Sequence, residues 1–332
     1  MSASRPRFPL AAVSMFAPFA LLACGDGPKP VTTSSVGAST PTVRTAPAAI
    51  AAGMPATAPV TITFADGEAA YRAGRYEDAA NWFAEYSERH PANAGAEYML
   101  GLSAWKSGDL KGARSALDRA IALDPRNVKA LLNSARVLLD LGKTDEALDR
   151  VNSVLAIDSS SAVARRLQGR ALHGSGDAEG AIDAYLSALE IDERDVWSLN
   201  NLGLVYIEQG RNDEALLPLS RAVELQPRAP IFQNNLGIAL ERTGHAAQAT
   251  KAFEAALESD SSYTRAAVSL ARVSSRSDSS ETGTIDLKEL AQNFTLQIRM
   301  LRDSVTTVGT DSAEVIPAPK VSDPVTPETD AK

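Results

Sequence analysis

Glycine recurs as Gly74, Gly108, Gly142, Gly176, Gly210 and Gly244, every gap being 34 residues. Five residues after each comes an alanine: Ala79, Ala113, Ala147, Ala181, Ala215 and Ala249. Seven residues before each comes another small residue: Gly67, Gly101, Ala135, Gly169, Gly203 and Gly237. A period of this length means one supersecondary unit repeated, each copy burying its apolar face on its neighbours. Each repeat holds two amphipathic runs of about 13 residues at helical spacing. A turn of glycine and charge separates them, as in Gly142-Lys143-Thr144-Asp145-Glu146. The glycine permits the left-handed geometry that ends a helix. Apolar residues are 44% of the chain but aromatics only 5%, so small-residue columns, not rings, set the helix contacts.

This pattern resembles the tetratricopeptide repeat, a helix–turn–helix of 34 residues. With each recurring glycine at repeat position 15, the repeats are 60–93, 94–127, 128–161, 162–195, 196–229 and 230–263. Phe83, Leu117, Val151, Tyr185, Leu219 and Phe253 supply the large residue the family wants at position 24, and Ala120, Ala188, Ala222 and Ala256 the small one at 27. Tyr86 and Val154 depart from it, and Thr63 and Asp66 stand where the first repeat should be apolar. The resemblance implies an all-α fold: a right-handed α-α superhelix of six repeats followed by C-terminal capping helices. Residues 264–303 carry the caps. Thr264–Val273 reads as a truncated first helix. Asp286–Asp303 reads as a second helix, with a capping-box-like start at Asp286 and Glu289 and an apolar face of Leu287, Leu290, Phe294, Ile298 and Leu301. That helix either packs onto the open end of the array or docks a partner. Residues 304–332, with four prolines among Thr, Val, Asp and Glu, have the composition of a disordered tail.

In the family, positions 2, 5, 6, 9, 12 and 13 of the first helices face a concave groove. These positions hold Lys129, Asn133 and Arg136 in the third repeat, and Arg166 and Arg170 in the fourth. They hold Trp197 and Asn201 in the fifth and Asn235 in the sixth. Asn133, Asn201 and Asn235 share position 6, where family members use the amide to hold an extended peptide backbone. Lys129, Arg136, Arg166 and Arg170 read as a basic cluster suited to carboxylates. Leu167 stands where a full carboxylate clamp would have another asparagine. The expectation is a peptide-binding groove that takes acidic or carboxylate-bearing segments of other proteins.

The N-terminus reads as an address. Residues 1–23 have Arg5 and Arg7, then an apolar run from Phe8 to Ala23, ending in Leu21-Leu22-Ala23-Cys24. This resembles the bacterial lipobox, in which the signal peptide is cut before a cysteine that carries the lipid. Cys24 is then the lipidation site, and its acyl chains the attachment to a membrane. Gly25, rather than aspartate, follows the cysteine. The resemblance therefore favours the outer membrane, facing the periplasm, over the inner. Residues 24–59, with six prolines, read as a linker.

Thirty-three Lys and Arg stand against 41 Asp and Glu, a net charge of −8. That excludes wholesale nucleic-acid binding, which needs a basic face to release counterions. One cysteine and three histidines (His90, His173, His245) leave no multi-cysteine metal site. His173-Gly174-Ser175-Gly176 misses the phosphate-loop spacing and falls in an inter-helix turn. No catalytic residue, metal, cofactor or small-molecule substrate is expected. The function expected is a non-enzymatic scaffold or adaptor anchored in the bacterial envelope, with a role in envelope, pilus or secretin assembly. The alternatives are a soluble periplasmic or secreted binding module and, behind it, an enzyme subunit.

Overall fold

A computed structural model describes residues 62–275 and 283–311, with side chains described as far as Ser304. Its helices come in consecutive pairs: α1 (Phe64–Arg72) with α2 (Tyr76–Arg89), α3 (Ala94–Ser107) with α4 (Leu110–Leu123), and α5 (Val128–Asp140) with α6 (Thr144–Ile157). Then come α7 (Ala162–Ser175) with α8 (Ala178–Ile191), α9 (Val196–Glu208) with α10 (Asn212–Leu225), and α11 (Pro230–Arg242) with α12 (Ala246–Ser259). Two more follow, α13 (Thr264–Ser274) and α14 (Leu287–Asp311). No strand occurs among the described residues. The chain forms two compact units. The first runs to Ser159 and takes in Arg170–Asp177; the second holds Ser160–Gly169 and everything from Ala178 onward.

All six periodic glycines have positive φ: Gly74 +75°, Gly108 +94°, Gly142 +72°, Gly176 +90°, Gly210 +76° and Gly244 +88°. Each closes its first helix with the same pair of backbone bonds. At Gly142 the glycine N–H reaches Leu139 O at 3.0 Å and the next N–H, of Lys143, reaches Leu138 O at 2.8 Å. This Schellman arrangement satisfies carbonyls the helix leaves open. The turn role expected of this column is the one it has. Gly74, Gly108, Gly142, Gly176 and Gly210 are exposed and Gly244 is half-buried, so these glycines set the turn and not the helix contacts. The alanines five residues later do lie in the contacts: Ala79, Ala113, Ala147, Ala181, Ala215 and Ala249 are all fully buried.

Side-chain caps complete the helix ends. Asn93, Asp109 and Asn127 each accept from the backbone N–H three residues on, at 3.0, 2.9 and 3.1 Å. Thr63 and Asp66, misplaced as core residues, form a full capping box. That is why the first helix of the first repeat starts four residues into its repeat.

The other glycine column sets how closely paired helices approach. A Cβ built on Gly67, Gly101, Gly169, Gly203 or Gly237 would run into the large residue 16 positions later: Phe83, Leu117, Tyr185, Leu219 or Phe253. The third repeat has Ala135 instead and pairs it with the smaller Val151, both fully buried. Volume is thus traded within each pair, as close packing requires. Gly203→Ala should therefore cost about 1–3 kcal/mol through overpacking. A Cβ at Gly142 meets nothing within 4 Å, so Gly142→Ala carries only backbone strain of about 1–2 kcal/mol. Urea denaturation of the two variants, with a Leu219→Val partner change that rescues Gly203→Ala alone, separates the two causes.

The C-terminal helices divide the role foreseen for them. The truncated first helix, α13, covers the last pair by packing on α12 and α11. The second, α14, does not lie on the open end; it folds back along α10 and α8, the second helices of the fifth and fourth repeats. Asp286 starts it, its Oδ1 accepting from the N–H groups of Lys288 and Glu289 at 2.9 and 3.1 Å. Ala291, Phe294 and Ile298 are buried beneath it. Just ahead of the helix, the Gln248 amide pairs with both backbone groups of Ile285, each bond 2.9 Å. Farther along, Arg299 makes a two-bond pair with Glu193 at 2.9 and 2.7 Å.

The reason lies on the outer helices. In the first compact unit, α4 and α6 carry a crossed lattice of charge, Arg114–Glu146 at 2.6 Å and Arg150–Asp118 at 3.0 Å. At the corresponding turns α10 carries Leu216, Leu217 and Pro218, and α8 carries Ile182 and Leu186. Such a surface needs a cover.

Candidate peptide-binding face

Side chains on consecutive first helices are tied together at a spacing of 35, one residue more than the repeat. Position 5 of one repeat meets position 6 of the next, and position 12 meets position 13. In the first compact unit the Asn133 Nδ2 donates to the Tyr98 hydroxyl at 3.1 Å, and Trp105 Nε1 donates to Asp140 Oδ2 at 2.9 Å. In the second, Asn235 Nδ2 donates to Asn200 Oδ1 at 2.8 Å and Arg242 Nη1 donates to the Ile207 carbonyl at 2.8 Å. Each bond satisfies a polar group on a face where helices crowd.

This rule relocates the three asparagines. Asn133 is 9% exposed, Asn201 2% and Asn235 1%. Their amides are engaged with neighbours. Asn234 Nδ2 donates to Asn235 Oδ1 at 3.3 Å, Asn235 to Asn200, and Asn200 Nδ2 to Asn201 Oδ1 at 3.2 Å, a directional amide chain across α9 and α11. The sequence expectation of three amides open to a peptide is corrected accordingly: they first hold the helices in register.

The basic cluster is also redistributed. Arg166 is buried, Nη1 lying 2.6 Å from Asp195 Oδ1, while Ser198 Oγ donates to the other oxygen at 2.8 Å. Arg170, with a side chain 10% exposed, lies 3.5 Å from Asp140. Both are internal ion pairs, so the reading of four cations gathered for a ligand is corrected. Sequence reasoning missed Asp195, though a signal existed: it closes a repeat at the position where Asn93 and Asn127 act as caps.

Of the predicted residues on α5, Lys129 and Arg136 keep an outward reach, with Asn133 buried between them. Lys129, Asn133 and Arg136 lie on α5 four and three residues apart, on one side of the helix. Lys129 is exposed and Arg136 half-buried, its Nη1 donating to Asn133 Oδ1 at 2.8 Å. Tyr98 completes the group, and burial holds its phenol above its ordinary pKa, against the pull of the Asn133 bond. The hydroxyl therefore stays neutral at physiological pH and remains a donor. In the second unit, Trp197 is half-buried and edge-on to Phe232, centroids 5.3 Å apart. Cys24 lies outside the described residues.

No cluster of three or more metal-ligating side chains occurs among the described residues. None of their helices is long and apolar enough to cross a membrane.

Residues 64–128, 98–162 and 200–264 match the family Tetratricopeptide repeat, and residues 169–210 match TPR repeat. These matches span more than half of the chain, which belongs to the tetratricopeptide repeat family, whose members serve as protein-interaction scaffolds. A curated relative, Cellulose synthase operon protein C of Pseudomonas fluorescens (strain SBW25), is 34% identical over 82 residues. Those residues are 25% of this chain and 6% of that protein, so the chain spans only a small part of its relative. Among solved structures, the APC/C hetero-tetramer Cut9-Hcn1 aligns with a TM-score of 0.55 at 18% identity, over 63% of this chain and 42% of that one. The thermophilic TPR protein TTC0263 of Thermus thermophilus aligns with a TM-score of 0.48 at 22% identity, over 55% of this chain and 98% of its own. These likenesses concern the fold.

Proposed function

We propose that this chain is a non-enzymatic scaffold, lipid-anchored through Cys24 in a bacterial envelope, that holds extended acidic segments of partner proteins. The observation that supports the binding mode is the face of α5, where exposed Lys129 and half-buried Arg136 share one side of the helix and buried Asn133 links Arg136 to the Tyr98 hydroxyl. That face offers cationic and neutral donors, the set that suits carboxylates and peptide carbonyls. It is also preorganised, because the Tyr98–Asn133–Arg136 bonds fix two rotamer-rich side chains before a ligand arrives. The anchor reading rests on the basic start, the apolar run and Leu21-Leu22-Ala23-Cys24, and an outer-membrane, periplasm-facing location on Gly25. A role in envelope or pilus assembly is the process this reading favours.

Two experiments test it. A photo-crosslinking amino acid placed at Lys129 in cells should capture a discrete partner that the same probe at Ser153, exposed on α6, does not. Adding Arg136→Glu should reduce that capture about tenfold or more. Identical products from both probe sites defeat the binding-face reading. Cys24→Ala should move the protein from the membrane to the soluble fraction. Retention of the variant in the membrane defeats the anchor reading and leaves the binding face untouched.

A further inference from the structure

The 34-residue register does not stop at the sixth repeat. In α11, Gln233, Leu236 and Gly237 are buried, and Gly237 touches Phe253 of α12. One repeat later the same positions of α13 are Ala267, Leu270 and Ala271. Here Ala267 and Ala271 are exposed and Leu270 half-exposed. The opposite side of α13, with Ala266, Ser269 and Val273, is buried on the preceding pair. So α13 is a first helix seated in the array with the place of its second helix open. The next helix in the chain, α14, is occupied on α10 and α8.

The molecule itself shows what covers such a face. In each complete repeat it is a second helix with an alanine four residues before a larger apolar residue, as Ala113-x3-Leu117, and in four of the six a second alanine follows, as Ala120. Size is matched across the contact: glycine takes Phe, Leu or Tyr, and Ala135 takes Val151. Ala271 is the alanine case, so the complement is a β-branched residue of valine size. Charge narrows it further. Helix α13 carries Arg265 and Arg272 and no carboxylate, Arg272 being paired with Glu241 of α11, whereas α2, α6, α8 and α10 open with acidic residues such as Asp145 and Glu146.

We propose that the open face of α13 is a docking site for an amphipathic, acidic-ended helix of a partner protein. Its central valine-sized residue seats on Ala271 and its flanking small residues on Ala267 and Leu270, completing a seventh helix pair in trans. This is helix-to-helix recognition, distinct from the extended-peptide face on α5.

The test uses the full chain and a synthetic peptide of residues 143–158, which in the molecule covers the alanine-type face of α5. The peptide should bind saturably below about 1 mM, gaining helical circular dichroism. Ala271→Arg in the chain should weaken binding at least about tenfold, as should Val151→Phe in the peptide. Because Ala271 is exposed, the chain variant should melt as the parent does, which separates lost docking from lost folding. A thiol pair, Ala271→Cys in a Cys24→Ala chain and Val151→Cys in the peptide, should form a mixed disulfide faster than Ser107→Cys on α3 does. Absent saturation, indifference to Ala271→Arg, or equal trapping at both sites overturns the proposal.

Discussion

Arg166→Met is expected to lower the unfolding free energy by about 3–5 kcal/mol, the loss seen when one partner of a buried ion pair is removed. For a chain of this size that is a fall of roughly 10 °C in melting temperature. The side chains of Arg166 and Asp195 are 9% and 7% exposed, and the pair is 2.6 Å long. Methionine fills the volume but leaves the Asp195 carboxylate with the Ser198 hydroxyl as its only described neutral donor. The double variant Arg166→Met, Asp195→Asn should recover more than half of the loss, because no charge is then stranded. A single variant within about 1 kcal/mol of the parent by urea denaturation would show Arg166 to be a surface cation after all, and would return it to the pool of ligand-binding candidates.

Phe294→Asp is expected to release α14 from its seat. Phe294 and Ile298 are 5% and 1% exposed, and burying such side chains contributes several kcal/mol each; Phe→Ala alone costs about 3–5 kcal/mol. Amide hydrogen exchange across 291–304 should accelerate by about a hundredfold or more, with new exposure at Leu216 and Leu217. Arg299→Ala, by contrast, should leave α14 in place, since its pair with Glu193 is solvent-exposed and screened. The pair has a pH signature all the same. The Arg299 hydrogen bond holds the Glu193 carboxyl below its usual range. Its contribution is therefore present at neutral pH and is lost as pH falls through that lowered value. Exchange in α14 that is unchanged by Phe294→Asp would mean the helix is held by its polar contacts instead.

What could be read in advance followed the reach of each interaction. The periodic glycines were legible because the Schellman turn is local: Gly142 needs only Leu138 and Leu139. The columns that hold Gly203 and Leu219 were legible because each recurs every 34 residues, but their contact was not, since nothing in either column names its partner. The three asparagines were legible in place but not in role. Their partners sit one repeat plus one residue away, so inspecting Asn133 in its own repeat does not bring up Tyr98. Arg166 was misassigned for a related reason, its carboxylate lying at the far end of the repeat, 29 residues on. The seat of α14 was harder still, because it depends on matching two surfaces distant in sequence. Half of that signal stood in plain view, in Leu216, Leu217 and Pro218 where α4 has Arg114, Ser115 and Ala116.

Arrays of this kind unfold piecemeal, since each repeat touches only its neighbours and stability adds as along a one-dimensional chain. Helix α14 breaks that independence. Through Gln248, α10 and Glu193 it joins three successive repeats by contacts as far as 106 residues apart. Those repeats must melt together or pass first through loss of the strap. The strap raises contact order and so slows the last stage of folding, in exchange for suppressing fraying at the end of the array where α13 stands open.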